Sequence, residues 1–280
     1  MGNIFLRQLR QLDRRAAPIR LGAFLCVLAL GWVPVAAPMA WLLRQDANLT
    51  SIVTMAWLFV AFVLATFAWG HWVRQENLWW HYGVGFSRAH GRELLQGLVV
   101  GLLAALGLFA VQGLLGWQQS QPVTGAIARV AAEGLLSALG IGIAEELLFR
   151  GWILSECDRD YSRRVALWTN AVVFALLHFL KPLAAILQDA AQFPGLVLLG
   201  LALVWAKRRT HGRLGLAIGL HAGLVWGYYI VAVGNLLQPA PDVPVWLTGV
   251  HGNPVASVLG WLGLGAIALW VRRQSPRGDA

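Results

Sequence analysis

Eight apolar runs divide this chain, and they constrain its fold more than any other feature. A helix needs roughly 20 apolar residues to cross ~30 Å of hydrocarbon. Runs of that order occupy residues 21–43, 52–73, 97–117, 127–156, 165–180, 194–206, 214–237 and 254–271. Those at 165–180 and 194–206 are short, which fits tilt, extension into flanking loops or partial re-entry. Of the 280 residues 58% are hydrophobic and only 12% charged, where a soluble domain carries about 25% charge. That balance argues against a water-soluble fold. The chain reads as an all-α polytopic transmembrane bundle of about eight spans.

The net charge of +9 does not point to nucleic acid, because the basic residues punctuate apolar runs instead of gathering on a polar face. Their placement carries topology. With both termini in the cytoplasm, 18 of the 22 Lys and Arg residues fall on the cytoplasmic side, including Arg7, Arg10, Arg163, Arg164, Lys207, Arg208, Arg272 and Arg277. Arg44, Arg129 and Lys181 fall at the outer ends, and Arg150 lies within the fourth span, so the positive-inside rule selects this orientation. The domain reading is a basic cytoplasmic segment at 1–20, one membrane domain at 21–271, and a cytoplasmic tail at 272–280. The first apolar run has 23 residues, longer than a signal-peptide core. Arginine far outnumbers lysine, which suggests a GC-rich bacterial source and a place in the bacterial plasma membrane. Cys26 and Cys157 stand in unlike settings and suggest neither a disulfide nor a thiolate metal site. The loop 75–95, with Trp79, Trp80, Tyr82, Arg88 and Arg92, reads as an amphipathic interface helix.

Ionisable residues inside a membrane cost about 2.5 to 3.5 kcal/mol each on the mildest scale and so need partners or a function. The fourth span holds Glu145, Glu146 and Arg150. Residues four apart share a helix face, so Glu146 pairs with Arg150 and Glu145 points elsewhere. A carboxylate removed from water without an adjacent cation is a competent base. His178 stands in the apolar stretch Phe174-Ala175-Leu176-Leu177-His178, and His221 stands in Gly219-Leu220-His221-Ala222-Gly223. At ~1.5 Å of rise per residue, Glu145 lies ~18 Å and His178 ~20 Å from the cytoplasmic span ends. His221 comes out at only ~10 Å, or ~17 Å if its helix starts near Thr210. Each group also has a bland explanation: an ion pair that only fixes packing, or a histidine hydrogen-bonded within a core. Arg129 and Glu133 read as a structural pair, and His71, His81, His90, His211 and His251 as solvated.

Glu-Glu-x-x-x-Arg at 145–150, Phe-x-x-x-His at 174–178 and a histidine on a later span at 221 together resemble the CAAX protease and bacteriocin-processing (CPBP) family of intramembrane proteases. The resemblance covers about residues 130–235. It implies that Glu145 and His178 activate water, that Glu146 and Arg150 organise the site, and that His221 binds or polarises the substrate carbonyl. The family is often labelled metal-dependent, and Glu145, His178 and His221 match a three-ligand zinc set with an open position. The same residues also suit a metal-free general base opposite a histidine oxyanion donor. Neither His-Glu-x-x-His nor Gly-x-Ser-x-Gly is present. One departure matters: the family's third motif usually carries a polar residue four positions after the histidine, and here that residue is Val225. Tyr228, on the same helix face, and Asn170 are the candidate replacement donors.

The reading that follows is an intramembrane endopeptidase acting on a peptide or protein substrate within or near the lipid bilayer, with no nucleic-acid partner. The prenylated substrate of eukaryotic relatives is not carried over. A catalytically weak binding or immunity protein of the same fold is the second reading, favoured by Val225. A proton-coupled transporter relaying through Glu145, His178 and His221 is the third, and the absence of an inverted repeat counts against it.

Overall fold

The computed structural model describes residues 11–74, 76–123 and 125–275. Arg7, Arg10 and Arg277 of the orientation reading, Gln75 of the loop and the ends of both terminal segments lie outside the described residues. Backbone contacts divide the chain into two compact units, residues 1–81 and 82–280.

The first unit is a helical hairpin of α1 (Ala17–Leu42) and α2 (Ala47–Trp69), with α2 running into a π-helical turn, Gly70–Arg74. Asp46 caps α2 by accepting the Leu49 N–H at 2.9 Å, so one orphan donor of the first turn is satisfied. Phe24 of α1 meets Phe62 and Trp69 of α2 edge to face, at 5.8 and 5.5 Å. Trp32 Nε1 donates across the hairpin to the Thr54 carbonyl at 3.1 Å.

The second unit contains α3 (Arg88–Leu114), β1 (Gln118–Ser120), α4 (Ile127–Glu146), a π-helical turn (Leu147–Ile153), α5 (Leu154–Asp160), α6 (Arg163–Leu177), α7 (Leu183–Asp189), α8 (Gln192–Arg209), α9 (Gly215–Val233), β2 (Leu237–Pro239) and α10 (Val258–Arg273). The two short strands pair antiparallel, Gln119 opposite Gln238. By length and apolar composition five helical stretches can cross a membrane: α1, α2 with its π-turn, α3, the continuous run Ile127–Asp160, and α9. The pair α7 and α8, bent by 74°, makes a sixth if it counts as one span. Every apolar run of the sequence forms helix, but α6 and α10 have only 15 and 16 residues, short of the ~20 that a perpendicular crossing needs. The chain is therefore a multi-pass helical membrane protein, in which five or six of the eight expected spans meet the length and composition of a full crossing.

Close backbone approach sets the position of α9. A Cβ on Gly219 would sit 2.0 Å from the Leu94 carbonyl oxygen of α3, and one on Gly101 would sit 2.4 Å from that of Leu220. Glycines at 97 and 101 of α3 thus face glycines at 219 and 223 of α9, the small-xxx-small arrangement by which apolar helices pack when no hydrophobic driving force acts between them. On its other side α9 meets α4, where Gly142 leaves room for Ala222. His221 is held between these two contacts.

The loop 75–95 is not an interface helix. It forms one helical turn, Leu78–His81, and then an extended passage before Ser87 caps α3. Gly83, at φ 84°, ends that turn, and its carbonyl accepts the Leu214 N–H at 3.0 Å. A side chain there would strike the Gly212 carbonyl, so glycine at 83 permits a tight tie to the start of α9 in place of an amphipathic helix. Arg129 and Glu133 do pair, at 2.7 Å on an exposed surface.

Candidate active site

Four elements converge on one cluster. Glu145 and Glu146 end α4, Arg150 lies in the π-turn, His178 caps the C-terminus of α6, and His221 stands in the first half of α9.

Glu146 is the hub. Its Oε1 accepts from Arg150 Nη1 at 2.9 Å and from His221 Nδ1 at 2.8 Å, and all three side chains are buried. The i,i+4 pair read from the sequence is present, and it extends to a histidine that the sequence reading had not joined to it. Arg150 also donates to the Gly200 carbonyl of α8 at 3.3 Å. Its guanidinium lies 4.3 Å from the ring centroid of Phe174, a cation–π contact strengthened by exclusion of water.

Phe174 explains the Phe-x-x-x-His spacing. The ring is fully buried and touches His178 at 4.6 Å and His221 at 6.1 Å between centroids, so one side chain backs both imidazoles and the arginine. The Phe174 carbonyl accepts from His178 Nδ1 at 2.7 Å. Carbonyl and carboxylate oxygens only accept here, so Nδ1 of each histidine carries a proton and each Nε2 is turned to the reaction space. Glu145 Oε2 lies 3.9 Å from Nε2 of His178 and 3.9 Å from Nε2 of His221. Among the described residues this oxygen has no direct hydrogen-bond partner. Glu145 does point away from the ion pair, as expected, and the place it points to is shared by both histidines.

The π-turn has its own supports, and these were not foreseen. Asn170 Nδ2 donates to the Phe149 carbonyl at 2.7 Å, and Lys207 Nζ donates to the Arg150 carbonyl at 2.6 Å and to Ser155 Oγ at 3.3 Å. A π-turn widens the helix and its carbonyls need such partners. Asn170 is therefore committed to the turn and does not serve as the replacement oxyanion donor. Lys207 had been read only as a topology charge.

Both histidines open on a cavity of about 450 Å³ between α3, α9 and α10. Val225 and Tyr228 line it along the His221 face of α9, and apart from Asn253 the remaining wall is apolar, with Leu108, Leu199 and Ile267 among its residues. The Tyr228 ring stacks on Phe109 with centroids 6.4 Å apart.

A tetrahedral zinc ion with ligands at 2.0–2.2 Å holds its donor atoms about 3.4 Å apart. The 3.9 Å separations around Glu145 are wider, and among the described residues no three His, Cys, Asp or Glu side chains form a metal-holding group. The donor set does not fit zinc in this arrangement, and no step is routed through a metal. A water 2.8 Å from each of two such groups fits the gap.

Fold and cluster together define a multi-pass helical membrane protein that carries two carboxylates, an arginine and two imidazoles among its apolar helices. Residues 127–227 match the family model of type II CAAX prenyl endopeptidases, Rce1-like. The matched stretch contains Glu145, Glu146, Arg150, His178, His221 and Val225, and ends one residue before Tyr228. Comparisons with curated proteins and with solved structures find no match.

Proposed function

We propose that this protein is an intramembrane endopeptidase in which Glu145 is the general base. The observation that carries the reading is the placement of Glu145 Oε2 at 3.9 Å from both histidine Nε2 atoms, beside an apolar cavity. A water held between Glu145 and His178 gives a proton to the carboxylate as its oxygen attacks the scissile carbonyl carbon. The carbonyl oxygen becomes anionic. His221, when protonated on both nitrogens, keeps its Nδ1–H on Glu146 and offers Nε2–H to that oxygen, and the Tyr228 hydroxyl is the second donor. The C–N bond then breaks, and Glu145 returns the proton to the leaving amine.

Arg150 and Glu146 hold the ring of His221 without touching substrate. The cavity favours an apolar peptide segment that enters from the bilayer, so the substrate class is a membrane-embedded or membrane-proximal peptide, and the setting is a bacterial plasma membrane. Val225 at the cavity wall favours the second reading, a weakly catalytic binding or immunity protein. The two are separated by comparing new peptide termini in membranes carrying the parent or Glu145→Gln. Termini that appear with the parent and vanish with the variant support the peptidase. Identical sets in both leave the binding reading in its place.

A further inference from the structure

Four polar side chains line the cavity of about 450 Å³, and three of them, His178, His221 and Tyr228, have a part in the proposed chemistry. Asn253 is the fourth and has none. It is half-buried, in the turn that leads into α10. Its Oδ1 accepts the Val255 N–H at 3.1 Å, which commits the oxygen to the turn. The amide Nδ2 is a donor, and among the described residues it meets no acceptor. A donor left open in an otherwise apolar wall is costly until something accepts from it.

The turn that carries Asn253 is tied down on both sides. The Pro254 carbonyl accepts from Ser257 Oγ at 2.9 Å, and the Val255 carbonyl accepts from Trp261 Nε1 at 2.9 Å. A Cβ on Gly195 of α8 would lie 2.2 Å from the Val255 carbonyl oxygen, so α8 packs directly on the turn. Further along the same helix, the Gly200 carbonyl accepts from Arg150. One helix thus fixes Asn253 relative to the catalytic cluster.

A peptide bond inside a helix has its carbonyl engaged by the N–H four residues on, so a membrane-embedded substrate must unwind around the bond to be cut. Each unwound residue frees a carbonyl and an N–H, and neither is tolerated unpaired in apolar surroundings. In the proposed chemistry His221 and Tyr228 take the scissile carbonyl, and its neighbours still need partners. We propose that Asn253 is a substrate-binding residue whose Nδ2 donates to a second backbone carbonyl of the unwound segment, close to the scissile bond but not part of it. This deepens the peptidase reading and rests on it. The substrate is then an apolar segment extended around the cut, and Asn253 reads its backbone without selecting a side chain.

The test uses the purified full-length protein in a neutral detergent at neutral pH and a library of short apolar peptides, from which the one best cleaved by the parent is taken. Asn253→Asp keeps the oxygen that caps Val255 and replaces the donor, and Asn253→Ser keeps a capping oxygen without adding a charge. Both should raise KM about tenfold or more, the effect of leaving one carbonyl unmet, with kcat and the thermal unfolding midpoint little changed. Replacing the backbone amides of the peptide one at a time by esters weakens each carbonyl as an acceptor. One replacement away from the scissile bond should raise the parent's KM and add nothing further in either variant. An unchanged KM in Asn253→Ser, a fall in kcat without a rise in KM, or ester effects that are the same in parent and variants overturns the proposal while the peptidase reading stands. If the parent cleaves no member of the library, the peptidase reading fails and the proposal falls with it.

Discussion

Replacing Arg150 with alanine should destabilise this protein far more than an average substitution, and the structure sets the scale. The guanidinium is fully buried, bonds Glu146 at 2.9 Å and the Gly200 carbonyl at 3.3 Å, and lies 4.3 Å from the Phe174 ring centroid. Its removal strands the Glu146 carboxylate. Breaking a buried pair costs about 3 to 5 kcal/mol, and in a domain of 150–250 residues each kcal/mol shifts the melting temperature by about 2–4 °C, so the expected fall is about 6 to 20 °C. Glu146→Leu combined with Arg150→Leu removes both charges together. That double variant still leaves His221 Nδ1 without its carboxylate partner, a cost of about 1 to 3 kcal/mol. Its stability should therefore lie above that of Arg150→Ala and below that of the parent, while its peptidase activity stays low because His221 has lost its anchor. Thermal unfolding of Glu146→Leu, Arg150→Leu and the double variant, in one detergent, closes the cycle. A fall below about 3 °C for Arg150→Ala, or single effects that add to within about 0.5 kcal/mol, would refute the buried, coupled pair.

Further expectations concern the helix contact, the oxyanion donor and the topology. Gly219→Ala places a Cβ against the Leu94 carbonyl, so α9 must shift away from α3. A loss of about 1 to 3 kcal/mol in stability is expected, with a larger proportional loss of activity as His221 is displaced; an unchanged melting temperature argues against the close packing. Tyr228→Phe should lower kcat by more than about 10²-fold with little change in KM or stability. Val225→Asn should partly restore that variant, since it rebuilds a donor one helical turn from His221. If Tyr228→Phe is silent while Val225→Asn raises the parent's rate sharply, Tyr228 is not the donor. Reporter fusions at the C-terminus should be active only in their cytoplasmic form, and periplasmic activity there contradicts the orientation drawn from the basic residues.

The site was legible where it rests on local helix geometry. Glu146 and Arg150 are four apart on one helix, and their pairing follows from that spacing alone. Depth arithmetic also brought Glu145 and His178 to one level. It undervalued His221, because it assumed straight α-helices standing upright. The π-turn, seven residues long, has wider turns and less rise per residue, so Glu145 lies nearer to that end of the bundle than 1.5 Å per residue implies. Glycine pairing then draws α9 against α3 and α4. The glycines at 97, 101, 219 and 223 were visible in the sequence, and their four-residue spacing is the signal that could have placed α9. Lys207 and Asn170 left no comparable pattern, since each serves a backbone carbonyl in a turn whose shape the sequence does not announce. Apolar runs report burial in lipid or in protein alike, and α6 and α10 are shorter than a perpendicular crossing needs, so helix length alone accounts for five or six of the eight spans read from the sequence.

The central claim is that Glu145 delivers a water to a peptide bond, and isotope incorporation tests it most directly. The protein, reconstituted in vesicles with a peptide that it cleaves, is incubated in water enriched in oxygen-18, and the fragments are weighed by mass spectrometry. One heavy oxygen should enter the new carboxyl terminus with the parent, and Glu145→Gln, at an unchanged melting temperature, should give no product. Cleavage by Glu145→Gln at the parental rate, with the same label uptake, would contradict the assignment of Glu145 as the base.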